Sequence, residues 1–179
     1  MEVFECIFGR RSIRRFKSNP IPEEHLKKIL EAAIWAPSAG NLQSWEFIVV
    51  KDQRRKEALA RAALNQMFIA TAPVVIVACA NMMRSASVYG ERGRRLYCLL
   101  DTAAAVQNLM LAAYALGYGT CWIGAFRDEE VMRILNIPPE LRPVAIIPLG
   151  VPAEEPRAPP RMPLRNVVHE EEYGRPYRF

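Results

Sequence analysis

Apolar positions along this chain follow two rhythms, and each marks a different kind of element. From Pro73 to Ala80 almost every residue is apolar and valine is frequent, the pattern of a central strand covered on both faces. Trp45 to Val50 and Val144 to Leu149 are similar runs, and Thr120 to Phe126 reads as a strand followed by a turn. Elsewhere the spacing is helical. Leu26, Ile29, Leu30, Ala33 and Ile34 form one stripe of a helix that Pro20-Ile-Pro-Glu-Glu opens and that stops before Pro37. Val3, Ile7 and Phe8 predict a short first helix ending at Gly9, and Asp52 to about Ala70 reads as helical. Residues 81–92 keep neither rhythm and read as a mobile loop. The longest helix is expected over Gly93 to Leu116, with Leu96, Leu99, Leu100, Ala103, Ala104, Gln107, Leu111 and Tyr114 as its buried face and Gly117 to Gly119 as its stop. Its many alanines suit close packing against another helix or a partner subunit. Asp128 is expected to cap a short helix carrying Glu129 and Glu130 in its first turn. Strands alternating with helices give a layered α/β or α+β fold.

The length of 179 residues suits one domain, 1–179, ending in a proline-rich arm at about 151–179. In that arm Pro152, Pro156, Pro159, Pro160 and Pro163 forbid regular structure, so it is ordered only where it lies on something. No run of about 18 apolar residues is present, and the start MEVFECIFGRR is short, acidic and ends in arginine. No membrane segment is expected, and the cytoplasm is the default location. The cysteines Cys6, Cys79, Cys98 and Cys121 form no C-x-x-C pair and the histidines are only His25 and His169, so no metal site is expected. Cys79 and Cys121 lie in apolar strands and read as buried, reduced thiols. The net charge of +5 comes mostly from arginine and favours anionic partners. A nucleic-acid partner would need a broad basic face with interleaved aromatics, which the chain lacks. The phosphate of a cofactor needs only a local cluster.

No nucleophile–base pair is visible, nor a G-x-S-x-G, a P-loop or a G-x-G-x-x-G. Gly117-Tyr-Gly119 follows a helix where a dinucleotide fingerprint would precede one. A chain without side-chain catalysts can borrow its chemistry from a cofactor. Four features are candidates for holding one. In Arg10-Arg11-Ser12-Ile13-Arg14-Arg15-Phe16, alternation puts Arg10, Ser12 and Arg14 on one side of an extended stretch. Guanidinium forks plus a hydroxyl suit a phosphate, although arginines in a loop are as often simply solvated. In Ala36-Pro-Ser-Ala-Gly-Asn-Leu-Gln-Ser-Trp45, small residues permit close backbone approach, and Asn41 and Gln43 offer amides to polar ring edges. Thr120-Cys-Trp-Ile-Gly-Ala-Phe126 is the third feature, and Arg161-Met-Pro-Leu-Arg165 the fourth.

In this order the features resemble the nitroreductase family of FMN enzymes. Its R-R-S-x-R-x-F pattern is met by Arg10, Arg11, Ser12, Arg14 and Phe16. Its A-P-S-x-x-N-x-Q-x-W pattern is met by Ala36, Pro37, Ser38, Asn41, Gln43 and Trp45. Gly124 matches a strand-end glycine, and Arg161, Pro163 and Leu164 match a basic-x-P-L element. Ser44 departs from the proline that many members carry, and residues 81–92 are shorter than the helical excursion of some members. The resemblance implies an α+β three-layer fold, with a central mixed sheet flanked by helices, in a domain-interlocked homodimer. It implies that Arg10 and Arg161 clamp the FMN phosphate, with Arg11 and Ser12 adding donors to phosphate or ribityl oxygens. Arg14 would face the N1–C2 carbonyl side of the flavin, and the amides of Gly124 and Ala125 its N5 and O4, with Gln66 a further candidate at the flavin edge. Pro37, Ser38, Ala39 and Asn41 would come from the second subunit. The implied reaction passes hydride from NADH or NADPH to the flavin, and electrons then go to a small electron-poor acceptor such as a nitroaromatic or quinone. Two alternatives stay open: flavin-destroying, dehalogenating or deazaflavin-linked chemistry of the same superfamily, and a flavin-binding module without turnover.

Overall fold

The computed structural model describes residues 1–178; Phe179, the last residue of the expected arm, lies outside them. The valine-rich run forms β2 (Val74–Asn81), buried at every position but its last. It lies between β1 (Trp45–Val50) and β4 (Leu141–Gly150), and β3 (Gly119–Thr120) joins the far edge of β4, giving the order β1-β2-β4-β3. Period-two alternation divides β2 between two cores. Val74, Ile76 and Ala78 pack with Leu26, Ile29, Ala33, Val106 and Leu109 on one face. Val75, Val77 and Cys79 pack with Leu59, Ile69, Val131 and Ile146 on the other. The three layers expected are therefore present, with helices covering both faces of the sheet.

Every strand pair runs antiparallel, where a mixed sheet was expected. The register explains why: Val50 at the end of β1 sits opposite Val75 at the start of β2, so the helical excursion between them leaves and re-enters at one end of the sheet. Among the described residues one parallel contact remains, the isolated bridge between Ser12 and Thr120.

Helices α1 (Val3–Gly9) and α2 (Glu23–Ile34) form where the stripes place them, although Ile34 points outward and is half exposed. The helix expected to reach Ala70 stops early: α3 covers Gln53–Ala62, and Leu64 and Asn65 adopt left-handed backbone at φ 57 and 61. That reversal lets the 3-10 turn Met67–Thr71 carry Ile69 and Ala70 back into the core. The expected loop at 81–92 is instead a helix, α4 (Met82–Arg92). Its inward side mixes Met82 and Ala86 with the buried polar Ser85, and the Asn81 side chain caps it by accepting from the Arg84 N–H at 2.9 Å. Gly93 packs against the Ser85 carbonyl, and Tyr89 meets Tyr97 edge-on at 5.1 Å.

After a π-helical turn over Gly93–Tyr97, α5 (Cys98–Ala115) buries Cys98, Asp101, Thr102, Ala105, Val106, Leu109, Met110 and Ala113. This is not the face expected. Leu96 and Gln107 are exposed, Leu100 is 56% exposed, and Leu99, Ala103, Ala104, Leu111 and Tyr114 are only half-buried. The helix is apolar on both sides, so periodicity alone could not choose between them. The helical run Met82–Ala115 is long and apolar enough, by length and composition, to cross a membrane, a test that the core helix of a globular domain also passes. It is broken by left-handed backbone at Gly90 (φ 53), and α5 packs on α2 and β2 as a core helix does. Helix α6 (Asp128–Leu135) starts one residue before the expected place, with Arg127 at the cap position and Asp128 already inside the first turn. Beyond Gly150 the chain is irregular, apart from a 3-10 turn at Leu164–Asn166 and a tight reversal that bridges His169 and Pro176.

Candidate functional site

The Arg10–Phe16 stretch is extended, as its alternation predicted. The Ile13 N–H donates to the Thr120 carbonyl at 2.9 Å, which lays the stretch beside β3 and buries the Ile13 side chain. Arg10, Arg11, Ser12 and Arg14 then line a cleft of about 310 Å³ whose opposite wall carries Arg157 and Arg161. Of the expected residues, the structure thus brings five together: Arg10, Arg11, Ser12, Arg14 and Arg161. The cleft's lining contains no carboxylate.

Two of these arginines are partly occupied by backbone. Arg11 Nη1 donates to the carbonyls of Phe8 (2.6 Å) and Arg10 (2.9 Å), closing the C-terminal end of α1. Arg161 Nη1 donates to the carbonyls of Pro159 (3.3 Å) and Pro160 (3.2 Å). Arg10 differs: its Nη1 is buried and has no hydrogen-bond partner. Burial, then the charges of Arg11 and Arg161, pull its pKa below the ordinary guanidinium value. A desolvated N–H without an acceptor is costly, and more so beside like charges. An anion with several acceptor oxygens satisfies both demands at once.

A second corner joins Gln66 to the turn after β3. Gln66 Nε2 donates to the carbonyls of Ala63 (3.0 Å) and Ala125 (3.4 Å). Gly124 follows Ile123, which bridges Ile146 of β4, and a side chain at Gly124 would meet the Trp122 indole at 3.6 Å.

The second feature, the Ala36–Trp45 loop, contributes nothing to the lining of the arginine cleft within this chain; its Asn41 and Gln43 instead border a hollow with Ile34, Trp35 and Ala36. It holds a 3-10 turn, Ala39–Asn41, with left-handed backbone at Gly40 (φ 57), Asn41 (φ 55) and Gln43 (φ 52). Neighbours hold this shape. The Ala39 N–H donates to Asp101 Oδ1 at 3.0 Å, the Gln43 N–H to Ser38 Oγ at 3.0 Å, and Arg84 Nη1 to the Gln43 carbonyl at 2.7 Å. The Tyr89 hydroxyl closes over Gly40, where a Cβ would lie 2.7 Å from it. No well-aligned hydrogen bond reaches Asp101 Oδ2. Burial pushes the Asp101 carboxyl up, while the Ala39 amide and the neighbouring Ser44 hydroxyl oppose that.

Three residues were missed by sequence reasoning. Arg157 was signalled weakly, as one more arginine in the proline-rich arm. Glu154 and Asp101 act on backbone amides far along the chain and left no signal.

The sequence model of the family described as the nitroreductase family matches residues 7–151. The chain belongs to that family. As a member of the nitroreductase family it is an oxidoreductase. The match takes in Arg10–Phe16, Ala36–Trp45 and Gly124, whereas Arg157 and Arg161 lie beyond it. The chain is similar to the NADH dehydrogenase of Thermus thermophilus, 34% identical over 186 residues, covering 89% of this chain and 91% of that protein. It is similar to the oxygen-insensitive NADPH nitroreductase of Salmonella typhimurium, 34% identical over 178 residues, covering 96% and 74%. Among solved structures, the NADPH:FMN oxidoreductase from Vibrio harveyi complexed with NAD+ matches with a TM-score of 0.88 at 31% identity, over 96% of this chain and 77% of that one. These likenesses extend the nitroreductase-family assignment over nearly the whole chain.

Proposed function

We propose that the protein is an FMN-dependent oxidoreductase that takes electrons from NADH or NADPH and passes them to a small electron-poor acceptor of nitroaromatic or quinone type. The observation that carries this reading is the buried, unpartnered Nη1 of Arg10 in a cleft lined by cations and no carboxylate. Arg10 and Arg161 would hold the FMN phosphate, and Arg11 and Ser12 would add donors to phosphate or ribityl oxygens. Arg14 would offer a fixed positive charge to the ring where negative charge gathers on reduction. Gly124 and Ala125 would present backbone amides to the other ring edge, beside Gln66. When bound, FMN supplies the redox chemistry, and no side chain serves as acid or base. The protein's part is to bind, orient and polarise.

The same reading takes 1–179 as one domain with an arm at 151–179, assembled as a homodimer. In support, Leu100 leaves an exposed apolar position on the outer face of α5, Leu96 another in the turn before it, and Trp35, 84% exposed, adds to the uncovered surface. Pro37, Ser38, Ala39 and Asn41 would then reach the second subunit's flavin. The free cysteines Cys6, Cys79, Cys98 and Cys121 fit a reducing, cytoplasmic setting.

The test is to purify the protein, record its visible spectrum and denature it. A yellow protein that releases FMN and oxidises NADH or NADPH in the presence of a quinone is expected. A colourless protein that binds no added FMN at micromolar concentration would end this assignment. Light scattering on the flavin-bound form tests the assembly: a mass near the chain's own 20.3 kDa, with activity retained, would refute the shared site.

A further inference from the structure

Glu154 is out of place by charge. It stands at the start of the arm, next to the arginine-rich stretch, where a carboxylate should work against any anion bound in the cleft. Its Oε1 instead accepts two successive backbone amides of that stretch, Arg14 N–H at 2.5 Å and Arg15 N–H at 3.1 Å. Around this contact the two segments are stitched together. The Ala153 N–H donates to the Arg15 carbonyl at 2.9 Å, the Lys17 N–H donates to the Val151 carbonyl at 2.9 Å, and Phe16 bridges Pro152 in antiparallel fashion. Glu154 is the last of these contacts before the arm leaves the sheet edge. From there the chain reaches Arg157 and Arg161 through Pro156, Pro159 and Pro160, which fix φ and leave little slack.

We propose that Glu154 is a positioning residue for the phosphate end of the flavin site, setting the register in which Arg157 and Arg161 of the arm face Arg10, Ser12 and Arg14. This rests on the FMN reading above. The arginines repel one another, and burial together with Arg11 and Arg161 already depresses the Arg10 guanidinium. Left to itself the arm would swing its cations into solvent, and ordering it again would cost conformational entropy on each binding event. The charge-assisted pair of hydrogen bonds that Glu154 accepts from the Arg14 and Arg15 amides holds the cleft assembled in advance.

Charge and position predict opposite signs, so the proposal can be decided. If Glu154 acted only through its charge, removing it would tighten phosphate binding. If it positions the arm, removing it loosens FMN and leaves riboflavin, which has no phosphate, alone. The experiment titrates FMN and riboflavin onto the full-length chain and follows flavin fluorescence, for the wild type, E154A, E154Q, R161A and the double variant E154A/R161A. E154A is expected to weaken FMN by roughly tenfold or more with riboflavin unchanged. E154Q should recover most of the loss, because its amide oxygen still accepts from Arg14 and Arg15. The double variant should lose less than the sum of the two single losses, because Glu154 acts in part through Arg161; what it loses beyond R161A is the share carried by Arg157. FMN binding that is unchanged or tighter in E154A overturns the proposal. So does an equal loss for FMN and riboflavin, which marks general support of the fold, and so does additivity in the double variant. A wild type that fails to prefer FMN over riboflavin overturns the FMN reading itself and the proposal with it, and is told apart by needing no variant.

Discussion

Asp101 of α5 accepts the backbone N–H of Ala39 at 3.0 Å, tying the longest helix to a loop 62 residues earlier in the chain. Asp101 is 6% exposed, and the loop it holds contains Asn41 and Gln43 in left-handed backbone, which non-glycine residues rarely adopt unaided. D101A should therefore release the loop and leave a buried amide unpaired, a loss of about 1–3 kcal/mol in stability. D101N keeps an acceptor for Ala39 and should retain most of it. It should also change the pH dependence. Burial raises the Asp101 carboxyl above its ordinary value, so the folded state binds this proton more tightly than the unfolded one. Its favourable contribution is fully present below the ordinary carboxylate pKa of ~4 and is lost as pH rises through the higher folded value. Melting curves of wild type and D101N across that interval should show the wild type losing ground steadily as pH rises. Parallel curves would mean that Asp101 does not titrate differently in the fold.

R10A should weaken FMN far more than riboflavin. The contact is charge-assisted, so the loss should be about tenfold to a hundredfold in the dissociation constant. The variant also removes the buried, unpartnered Nη1 and relieves the repulsion from Arg11 and Arg161. The flavin-free protein should hence melt at the same temperature as wild type or higher. Equal losses for both flavins would move Arg10 away from the phosphate.

G93A pits two effects against each other. Alanine is favoured over glycine in a helix by about 1 kcal/mol, and Gly93 has an ordinary helical φ of −60. Its Cβ, however, would run into the Ser85 backbone carbonyl, with Ser85 Oγ 3.0 Å away. Backbone cannot step aside cheaply, so the clash should prevail by about 1–3 kcal/mol. The damage should appear as faster hydrogen exchange in α4 and the π-helical turn. A variant as stable as wild type would show that the two segments can part without cost.

Cys79 is fully buried near the end of β2, and burial pushes its thiol up to about 12. With Cys6, Cys98 and Cys121 also buried and free, a thiol-exchange reagent at pH 8 should label native protein very slowly. All of them should react promptly in denaturant. Rapid labelling of Cys79 in the native state would mean that the sheet opens readily.

Much of this fold could be read from the sequence, for reasons particular to each element. β2 was legible because its covered faces demand apolar residues throughout, and α2 because only one of its faces is covered. The irregular backbone after Gly150 was legible because proline excludes regular structure. Helix α4 was not: its stability comes from a cap at Asn81 and from Gly93 against Ser85, contacts that leave no stripe. The two faces of α5 are both apolar, so the wrong one was chosen for the interior. In the cleft, alternation put Arg10, Ser12 and Arg14 on one side, whereas Gln66 and Gly124, which owe their proposed roles to the resemblance, lie outside its lining. Asp101 and Glu154 were invisible because what they hold is backbone, 62 and 140 residues distant. A backbone amide has no residue type, so no motif advertises it.

Among the described residues, strand β1 pairs with β2 alone and ends the sheet on that side. Its sequence, Trp-Glu-Phe-Ile-Val-Val, carries a single charge and a β-branched end. A bare edge of this kind is a template on which other chains can add. Whatever strips a subunit of the surfaces that surround that edge, whether dilution, mild denaturant or long storage, opens a path to fibrous or amorphous precipitate. The working lifetime of the protein in a tube should then be governed by how seldom that edge is bared, a rate, and not by the free energy of unfolding.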